Sequence, residues 1–527
     1  MYDKTPVYPH HADLFWAYEP YKTIYVLQRI LTTLFLVPCW IVYYGIMPRN
    51  RRPRPSWSLY QIVVVKFMKR ISKVVEVAGV TWGTRDPTLE PEQVKLKETR
   101  FEWAPPLPKD LRTGFVHDEH VECKPVGMYV WPKDPHPSVL ARKAAKSATE
   151  KATVPAPQPA KDGDDPEGAP ADAPPRLIGV YLHGGGYCHY SAHESSGTSR
   201  VPRRLINDGY FQEIYAVEYR LLQHAPVPGA LQDAAAVYAH LVLNELGAKK
   251  GEDGRYYIPE PSRRDKTHPP AEADEIPKGR HRTKIVLIGD SAGGNLVLAL
   301  ARWIRDEARL PPPDAMLLLS PSCDPSHTLP QVPASRRPRP HEETDYLLDT
   351  PEPRALLQRT FLGHHPPEFV YSPYISPSSE WVLSVFHGPA GLEDLQTVAD
   401  IRQGNDTRAW REGPGEVAAH PNAIAAGPSD VAVGRTACTN PYIRDPSGQG
   451  LFTNFPRTLV VVGDAERLER EVLALERGME RDGVRVRMVW AKDGCHDLLI
   501  LAYWDEKVRE GIWREIARWV REIEAEP

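Results

Sequence analysis

The sequence is poor in cysteine, lacks an excess of either charge and has one long hydrophobic run. Its six cysteines lie far apart without a short paired spacing, which argues against a zinc site or a disulfide-stapled scaffold. Lysine and arginine total 65 against 69 aspartate and glutamate, so the net charge of −4 gives no support to binding of nucleic acid. With 41% hydrophobic and 25% charged residues, the chain is neither wholly disordered nor a multi-span membrane protein.

The hydrophobic run, residues 30–47, carries no charge. As a helix it would be about 27 Å long, just short of the roughly 30 Å hydrocarbon core, and Pro38 lies in its middle. We expect the segment at about residues 25–47 to attach the chain to a membrane, such as that of the endoplasmic reticulum. A span is favoured over a helix that lies in the interface or packs on the domain. Arginines after the run would keep that side cytoplasmic, although lysines before it weaken this asymmetry.

Proline marks the expected insertions, because its 54 residues are about twice the average usage. Three segments cannot bury enough apolar surface to order themselves, and we expect them to be disordered: residues 141–176, 250–282 and 378–439. Without them, residues 81–527 predict one α/β domain. The preceding region, residues 1–80, adds an amphipathic helix over residues 56–77. That helix either covers a binding site or closes one side of the core, and both interpretations stay open.

Short apolar runs alternate with helical patterns between the insertions. The predicted strands are residues 177–182, 213–217, 285–288, 315–319, 459–462 and 484–489. The predicted helices are residues 233–246, 295–308, 467–479 and 505–523. This alternation predicts a mostly parallel sheet covered by helices on both faces.

A serine lies on a tight turn between one of these strands and the next helix. The sequence Gly289-Asp290-Ser291-Ala292-Gly293 fits G-x-S-x-G in a strand–turn–helix context. The chain can pass through such a turn only if the residues two positions to either side of the serine are small. Ser291 is therefore a candidate nucleophile, and a simple glycine turn is the structural alternative.

Three glycines follow the strand at residues 177–182. In His183-Gly184-Gly185-Gly186 the backbone N–H groups could approach a substrate oxygen that becomes negative in the transition state. A dinucleotide site is the alternative, but the third glycine of its fingerprint is missing because His189 stands there. The pattern favours an oxyanion hole.

A nucleophilic serine needs a histidine base that is itself oriented by a carboxylate. Asp464 and His496 each follow a predicted strand, in the chain order serine, acid, histidine. We favour Asp464 as the acid and His496 as the base. Rival acids are Glu466 and Glu469, and rival histidines are His387 and His420 in an insertion.

These motifs resemble the hormone-sensitive-lipase-like branch of the α/β-hydrolases, which includes arylacetamide deacetylases and fungal steryl acetyl hydrolases. The matching positions are His183 to Gly186, Tyr219-Arg220-Leu221, Pro226, Pro228, Asp233, Gly289 to Gly293, Leu319-Ser320-Pro321, Asp324, Asp464 and His496. The resemblance implies an α/β-hydrolase fold in which Ser291 is the nucleophile, His496 the base and Asp464 its partner. It also implies an oxyanion hole of the N–H groups of Gly185, Gly186 and Ala292, with Gly184 shaping the loop, and no metal or organic cofactor.

Two departures from the family pattern lie near the predicted site. Leu222-Gln223-His224 replaces an Ala-Pro-Glu run, and Ala465-Glu466 replaces the Pro-Leu after the predicted acid.

We predict a serine carboxylic-ester hydrolase acting on a small-acyl ester of an apolar alcohol, such as a sterol or lipid acetate. An amide hydrolase with the same triad, or a non-catalytic ligand-binding or membrane scaffold protein, remain alternatives. Oligomeric state is not encoded in any pattern we recognise.

Overall fold

The computed structural model describes residues 15–134, 177–258, 283–328, 339–348, 357, 359–388, 440–443, 445 and 448–526. Its strands are β1 (Arg100–Ala104), β2 (Val126–Trp131), β3 (Leu177–Leu182), β4 (Glu213–Glu218), β5 (Lys249–Lys250), β6 (Tyr256–Tyr257), β7 (Lys284–Asp290), β8 (Ala315–Leu319), β9 (Arg457–Gly463) and β10 (Val486–Ala491). Its α-helices are α1 (Tyr21–Ile46), α2 (Leu59–Ala78), α3 (Arg200–Asn207), α4 (Gly229–His240), α5 (Ala292–Glu307), α6 (Glu380–His387), α7 (Glu469–Arg481) and α8 (Glu506–Ala525).

Eight strands form one sheet in the order β1-β2-β4-β3-β7-β8-β9-β10. β1 and β2 pair antiparallel with each other, as do β2 and β4, and every other neighbouring pair in this sheet is parallel. All residues of β3, β7 and β8 are buried, which explains why they appear in the sequence as continuous apolar runs. The predicted mostly parallel sheet flanked by helices is confirmed.

The six predicted strands and four predicted helices are present, with ends that differ by up to a few residues. The structure adds β1 and β2, which sequence reasoning missed because β1 carries Arg100 and Glu102 within its five residues. It also adds the short helices α3 and α6. The antiparallel pair extends the sheet at the end far from the serine strand, with β3 and β4 between.

The N-terminal region is a pair of helices. α1 is 26 residues long and has one buried residue, Tyr44, so its apolar side chains are largely exposed. It is long and apolar enough to cross a membrane, a criterion that a signal sequence also meets. α2 begins with a capping box of Ser58 and Gln61. Arg70 in α2 donates from Nε to Thr33 Oγ1 in α1 at 2.7 Å, which joins the two helices near the midpoint of α1.

The predicted insertion at residues 141–176 lies outside the described residues, as does most of the other two. Their described margins have regular structure. β5 and β6 form a two-stranded ribbon at the start of one insertion. Helix α6 lies at the start of the other, with Val382 and Leu383 buried. At these margins the expectation of disorder is corrected, because the ribbon and the helix pack on the domain.

Candidate active site

Ser291 occupies the turn between β7 and α5 in a strained backbone conformation, with φ 50° and ψ −118°. Its N–H donates to Leu319 O at 2.9 Å, which holds the turn over the end of β8. The neighbouring glycines have no room for a side chain. A Cβ on Gly289 would lie 2.4 Å from Gly293 O, and a Cβ on Gly293 would lie 2.0 Å from Leu182 O. Local sterics therefore fix this turn and leave the Ser291 hydroxyl at a cavity.

His496 lies on the loop after β10 and contacts this serine. The Ser291 Oγ–H donates to His496 Nε2 at 2.9 Å. The imidazole is buried, and its backbone N–H reaches the carboxylate of Asp345 at 3.4 Å. The structure thus brings together the predicted nucleophile and the predicted base, which are 205 positions apart in the sequence.

The carboxylate on the other side of the histidine belongs to Glu466. His496 Nδ1–H donates to Glu466 Oε1 at 2.9 Å. The second oxygen, Oε2, accepts from Ser320 Oγ at 2.8 Å and from the N–H of Gly463 at 2.9 Å. Glu466 is fully buried, and these bonds satisfy both of its oxygens. A carboxylate held in this way fixes the tautomer and the orientation of the imidazole.

Asp464, the acid favoured from the sequence, does not contact His496, and the assignment is corrected to Glu466. Asp464 Oδ1 instead accepts from Arg54 Nη1 at 2.8 Å and from the Asp493 N–H at 2.6 Å. Arg54 is only 2% exposed and also pairs with Asp493 at 3.1 Å. A buried guanidinium requires carboxylate partners, so Arg54 orients Asp464 away from the histidine. The Ala465-Glu466 departure was the sequence signal for the carboxylate that contacts His496.

The rival residues have other partners or lie elsewhere. Glu469 is buried and forms a short contact with His341. His387 pairs with Asp482 at 3.0 Å. His420 lies outside the described residues. Neither Glu469 nor His387 is among the residues that line the cavity at Ser291.

A second carboxylate lies beside the histidine. Asp497 Oδ2 is 3.2 Å from His496 Nε2, the nitrogen that faces Ser291. Burial by itself would lower the pKa of His496, but the negative charges of Asp497 and Glu466 outweigh it and raise that pKa to about 10. Burial also raises the pKa of Asp497 well above its ordinary value. Asp497 Oδ1 is buried without a hydrogen-bond partner in the described part of the chain. The two carboxylates therefore stabilise the positive charge that the imidazole acquires when it takes a proton.

The glycine loop after β3 lies next to the serine turn. Gly185 and Gly186 have φ angles of 108° and 61°, a region that favours glycine. Both line the cavity together with Ala292. Gly184 packs against the serine turn, since a Cβ there would lie 2.5 Å from Asp290 Oδ2. His183 donates from Nδ1 to Gly184 O at 2.7 Å, and burial lowers the pKa of His183 to about 4. Residues of two separate segments thus border the same space.

The cavity has a volume of about 280 Å³. Three of its lining residues, Ser72, Val75 and Glu76, belong to α2. Both interpretations of the amphipathic helix apply, because α2 forms a wall of the cavity that contains Ser291 and also buries Ile62 and Val65 in the core. The remaining wall is mostly aromatic or aliphatic and includes Trp82, Tyr187, Tyr190, Leu222, Tyr346, Leu347, Leu348, Leu357, Phe361, Leu468 and Ile500.

Other polar and cysteine residues near the site have roles in the fold. The Arg220 guanidinium donates to Asp233 at 2.8–3.0 Å, which joins the segment after β4 to α4. Tyr181 donates to Asp290 Oδ1 at 2.5 Å, which agrees with a role of Asp290 in stabilising the turn. Cys188 and Cys495 are buried, and burial raises the pKa of the Cys495 thiol well above its usual range. A buried, protonated Cys495 is not expected to be reactive.

Comparisons with known proteins support the architecture. A family model described as the alpha/beta hydrolase fold matches residues 179–390, which include the glycine loop and the serine turn. An "Acetyl-hydrolase" of Streptomyces hygroscopicus is 30% identical over 199 residues, which are 37% of this chain. The chain spans half the length of that relative. Together with the strand order and the turn at Ser291, the family match identifies an α/β-hydrolase fold.

Solved esterase structures are similar to this chain at low sequence identity. An esterase of Pyrobaculum calidifontis is 16% identical with a TM-score of 0.43, covering 90% of this chain and 95% of that one. A carboxyl esterase of the fungus Tuber melanosporum is 12% identical with a TM-score of 0.44, covering 87% and 97%. At these values the two structures do not assign an activity.

Proposed function

We propose that this protein is a serine hydrolase that cleaves carboxylic esters. The observation that carries the proposal is the continuous hydrogen-bonded series from Ser291 Oγ through His496 to Glu466, with both bonds at 2.9 Å. A serine hydroxyl at its free pKa is a poor nucleophile, and an oriented imidazole removes its proton as it attacks. The strained turn that presents Ser291 to a cavity supports the same conclusion.

The reaction would proceed in two half-reactions. Ser291 Oγ attacks the ester carbonyl while its proton moves to His496 Nε2. The imidazolium passes this proton to the leaving alkoxide, so the alcohol departs and an acyl-serine remains. Water then attacks the acyl group, His496 takes the proton from water, and the acid leaves as Ser291 recovers its own proton. Glu466 keeps the imidazole in place and stabilises its positive charge throughout.

The developing oxyanion would be held by backbone N–H groups of Gly185, Gly186 and Ala292. These residues line the cavity next to Ser291, and Gly184 shapes the loop behind them. Each such donor typically lowers the barrier by about 3 kcal/mol, because it is fixed before charge develops.

The cavity favours an apolar alcohol with a small acyl group, such as a sterol or lipid acetate. Its aromatic and aliphatic wall suits an apolar molecule. The Streptomyces relative named "Acetyl-hydrolase" fits a short acyl group.

We also propose that α1 attaches the protein to a membrane. Its exposed apolar side chains include Leu31, Leu34 and Phe35. The contact of Arg70 with Thr33 would put a guanidinium deep in the bilayer if α1 crossed it, which favours a helix lying at the membrane surface. Because α2 packs on α1 and also lines the cavity, an ester dissolved in that membrane would lie near the site.

The test is hydrolysis of p-nitrophenyl acetate and longer-chain esters by the full chain in detergent. Replacing Ser291 by Ala should lower kcat/KM by about 10⁴-fold or more while the fold is kept. Ser384→Ala, on the exposed side of α6, is the matched control and should retain activity. Equal rates for Ser291→Ala and the parent chain would overturn the proposal. Folded, inactive parent protein on every ester would also overturn it and favour a ligand-binding role.

A truncated variant that tests the role of α1 should begin at residue 48, so that Arg54 is kept. A deletion through residue 55 removes Arg54 and leaves Asp464 and Asp493 without their buried partner. A chain that starts at Pro48 keeps this ion pair and loses α1. We expect it to retain hydrolysis of water-soluble esters and to lose binding to lipid vesicles, which a sedimentation assay measures.

A further inference from the structure

Four side chains with metal-binding atoms converge on the outside of the domain, away from the triad. Asp118 and His120 lie in the loop between the short helical turn Gly114–Val116 and β2. His364 and His365 follow the segment that contributes Leu357 and Phe361 to the cavity wall. Ligand atoms of Asp118, His120 and His364 all lie within 4.8 Å of one another.

The distances agree with ligands of a single ion. Asp118 Oδ2 is 3.1 Å from His364 Nε2 and 3.3 Å from His365 Nε2. In a tetrahedral site with bonds of about 2.0–2.1 Å, neighbouring ligand atoms lie about 3.3 Å apart. His120 Nδ1 is 4.0 Å from Asp118 Oδ1, and its side chain is 66% exposed, so a small rotation would bring it into the same shell.

We propose that Asp118, His120, His364 and His365 form a binding site for one divalent transition-metal ion, with Zn²⁺ the best match. Three imidazoles and one carboxylate are a ligand set that suits Zn²⁺ and is too rich in nitrogen for Ca²⁺ or Mg²⁺. The cysteine spacing that argued against a zinc site does not bear on histidines. The site lies outside the hydrolase machinery, and its existence does not depend on the proposed function.

The loop already holds Asp118 in position. Its Oδ1 accepts from the backbone N–H of His120 at 2.7 Å and of Val121 at 2.8 Å, which leaves Oδ2 directed at the two imidazoles. The loop is in turn fixed to α4, because Gln232 Nε2 donates to Val121 O at 2.8 Å. An ordered outer shell of this kind strengthens metal binding.

The three imidazole rings lie close together. The ring centroids of His120 and His364 lie 4.1 Å apart, and those of His364 and His365 lie 4.0 Å apart. Within the described residues, His365 Nε2 is buried, and Asp118 Oδ2 at 3.3 Å is not aligned for a hydrogen bond with it. A single metal ion bound between these groups would use one nitrogen of each ring.

A bound ion would connect the cavity wall to the core. Phe361 lines the cavity, and its carbonyl accepts from the Val227 N–H at 2.8 Å. His364 lies three residues further on. The ion would therefore fasten the end of this wall segment to the loop that α4 already holds, and its binding should protect the segment from opening.

The test is competition for Zn²⁺ between the metal-stripped full chain and a chromophoric chelator. The chain has 19 histidines, so weaker background binding is common to all variants. We expect one site above this background. It should weaken by more than about tenfold in His120→Ala and in the double variant His364→Ala/His365→Ala. His117→Ala, an exposed histidine in the same loop, is the matched control and should bind like the parent.

Co²⁺ provides a second readout that does not depend on activity. Its visible absorption should show the intense bands of a tetrahedral site in the parent and in His117→Ala, and lose them in His120→Ala. His120 is the most exposed of the four ligands, so this variant should fold normally, which circular dichroism checks. Equal Zn²⁺ affinity in the parent and the folded His120→Ala and double variants would overturn the proposal. Absence of any site above background in the parent would also overturn it.

Discussion

The turn at Ser291 and the loop after β9 supply two members of one hydrogen-bonded series, yet they differ in what determines them. The turn is set by neighbours within a few residues, since Gly289 and Gly293 must pass backbone atoms at distances where a Cβ would collide. The loop offers two carboxylates, and the choice between them is set by Arg54, 410 positions away from Asp464 in the sequence. A motif that is fixed by local sterics can be recognised in the sequence. A carboxylate partner that is selected by long-range pairing cannot.

Among variants that keep Ser291, the largest effect is expected at the loop. Glu466→Gln removes the negative charge that stabilises the His496 imidazolium and disturbs its tautomer. We therefore expect kcat/KM for p-nitrophenyl acetate to fall by about 10³–10⁴-fold, with unchanged circular dichroism.

Asp464→Asn is the matched variant for that experiment, two positions away. It weakens the pair with Arg54, so it should lower thermal stability and reduce activity by less than tenfold. The comparison between Glu466 and Asp464 would be reversed if Asp464→Asn lost more activity than Glu466→Gln in folded protein.

The second effect concerns the serine turn. Gly293→Ala would put a Cβ 2.0 Å from Leu182 O, a backbone atom in the central sheet that cannot move away. We expect a loss of more than about 3 kcal/mol in the free energy of unfolding, measured by urea denaturation.

Gly511→Ala in α8 is the control, because no atom lies within 4 Å of its added Cβ. Alanine there should be neutral or stabilising by up to about 1 kcal/mol, as expected inside a helix. If the two alanine variants were equally stable, the turn would not be as constrained as the geometry indicates.

The smallest effect is a change in pH dependence. Asp497 raises the pKa of His496, and only the neutral imidazole can accept the serine proton. Asp497→Asn removes this charge while Glu466, Asp345 and Asp290 remain nearby, so the His496 pKa should fall. The acidic limb of the kcat/KM profile should then move to lower pH, measured from about pH 5 to 10.

Asp253→Asn, on an exposed turn, is the control and should leave that profile unchanged. A limb that stays in place in Asp497→Asn would show that Asp497 does not interact with the titrating base.

Much of the fold was predictable because it follows from short-range patterns. The buried strands β3, β7 and β8 are continuous apolar runs, and the helices between them have one apolar face. β1 was missed because a strand at one end of the sheet can carry charged residues, here Arg100 and Glu102. Ser291 and His496 were found because each follows a predicted strand.

The sequence by itself determined the serine turn, the glycine loop and the alternation of strands and helices, because each depends on residues close together in the chain. Only the tertiary structure decided which carboxylate contacts His496, what α2 covers and where the four metal-binding side chains meet. Those outcomes depend on a buried guanidinium that must find carboxylates, on an amphipathic helix that must bury one face, and on loops joined across more than 200 positions. Such contacts arise when the chain packs, and no local pattern encodes them.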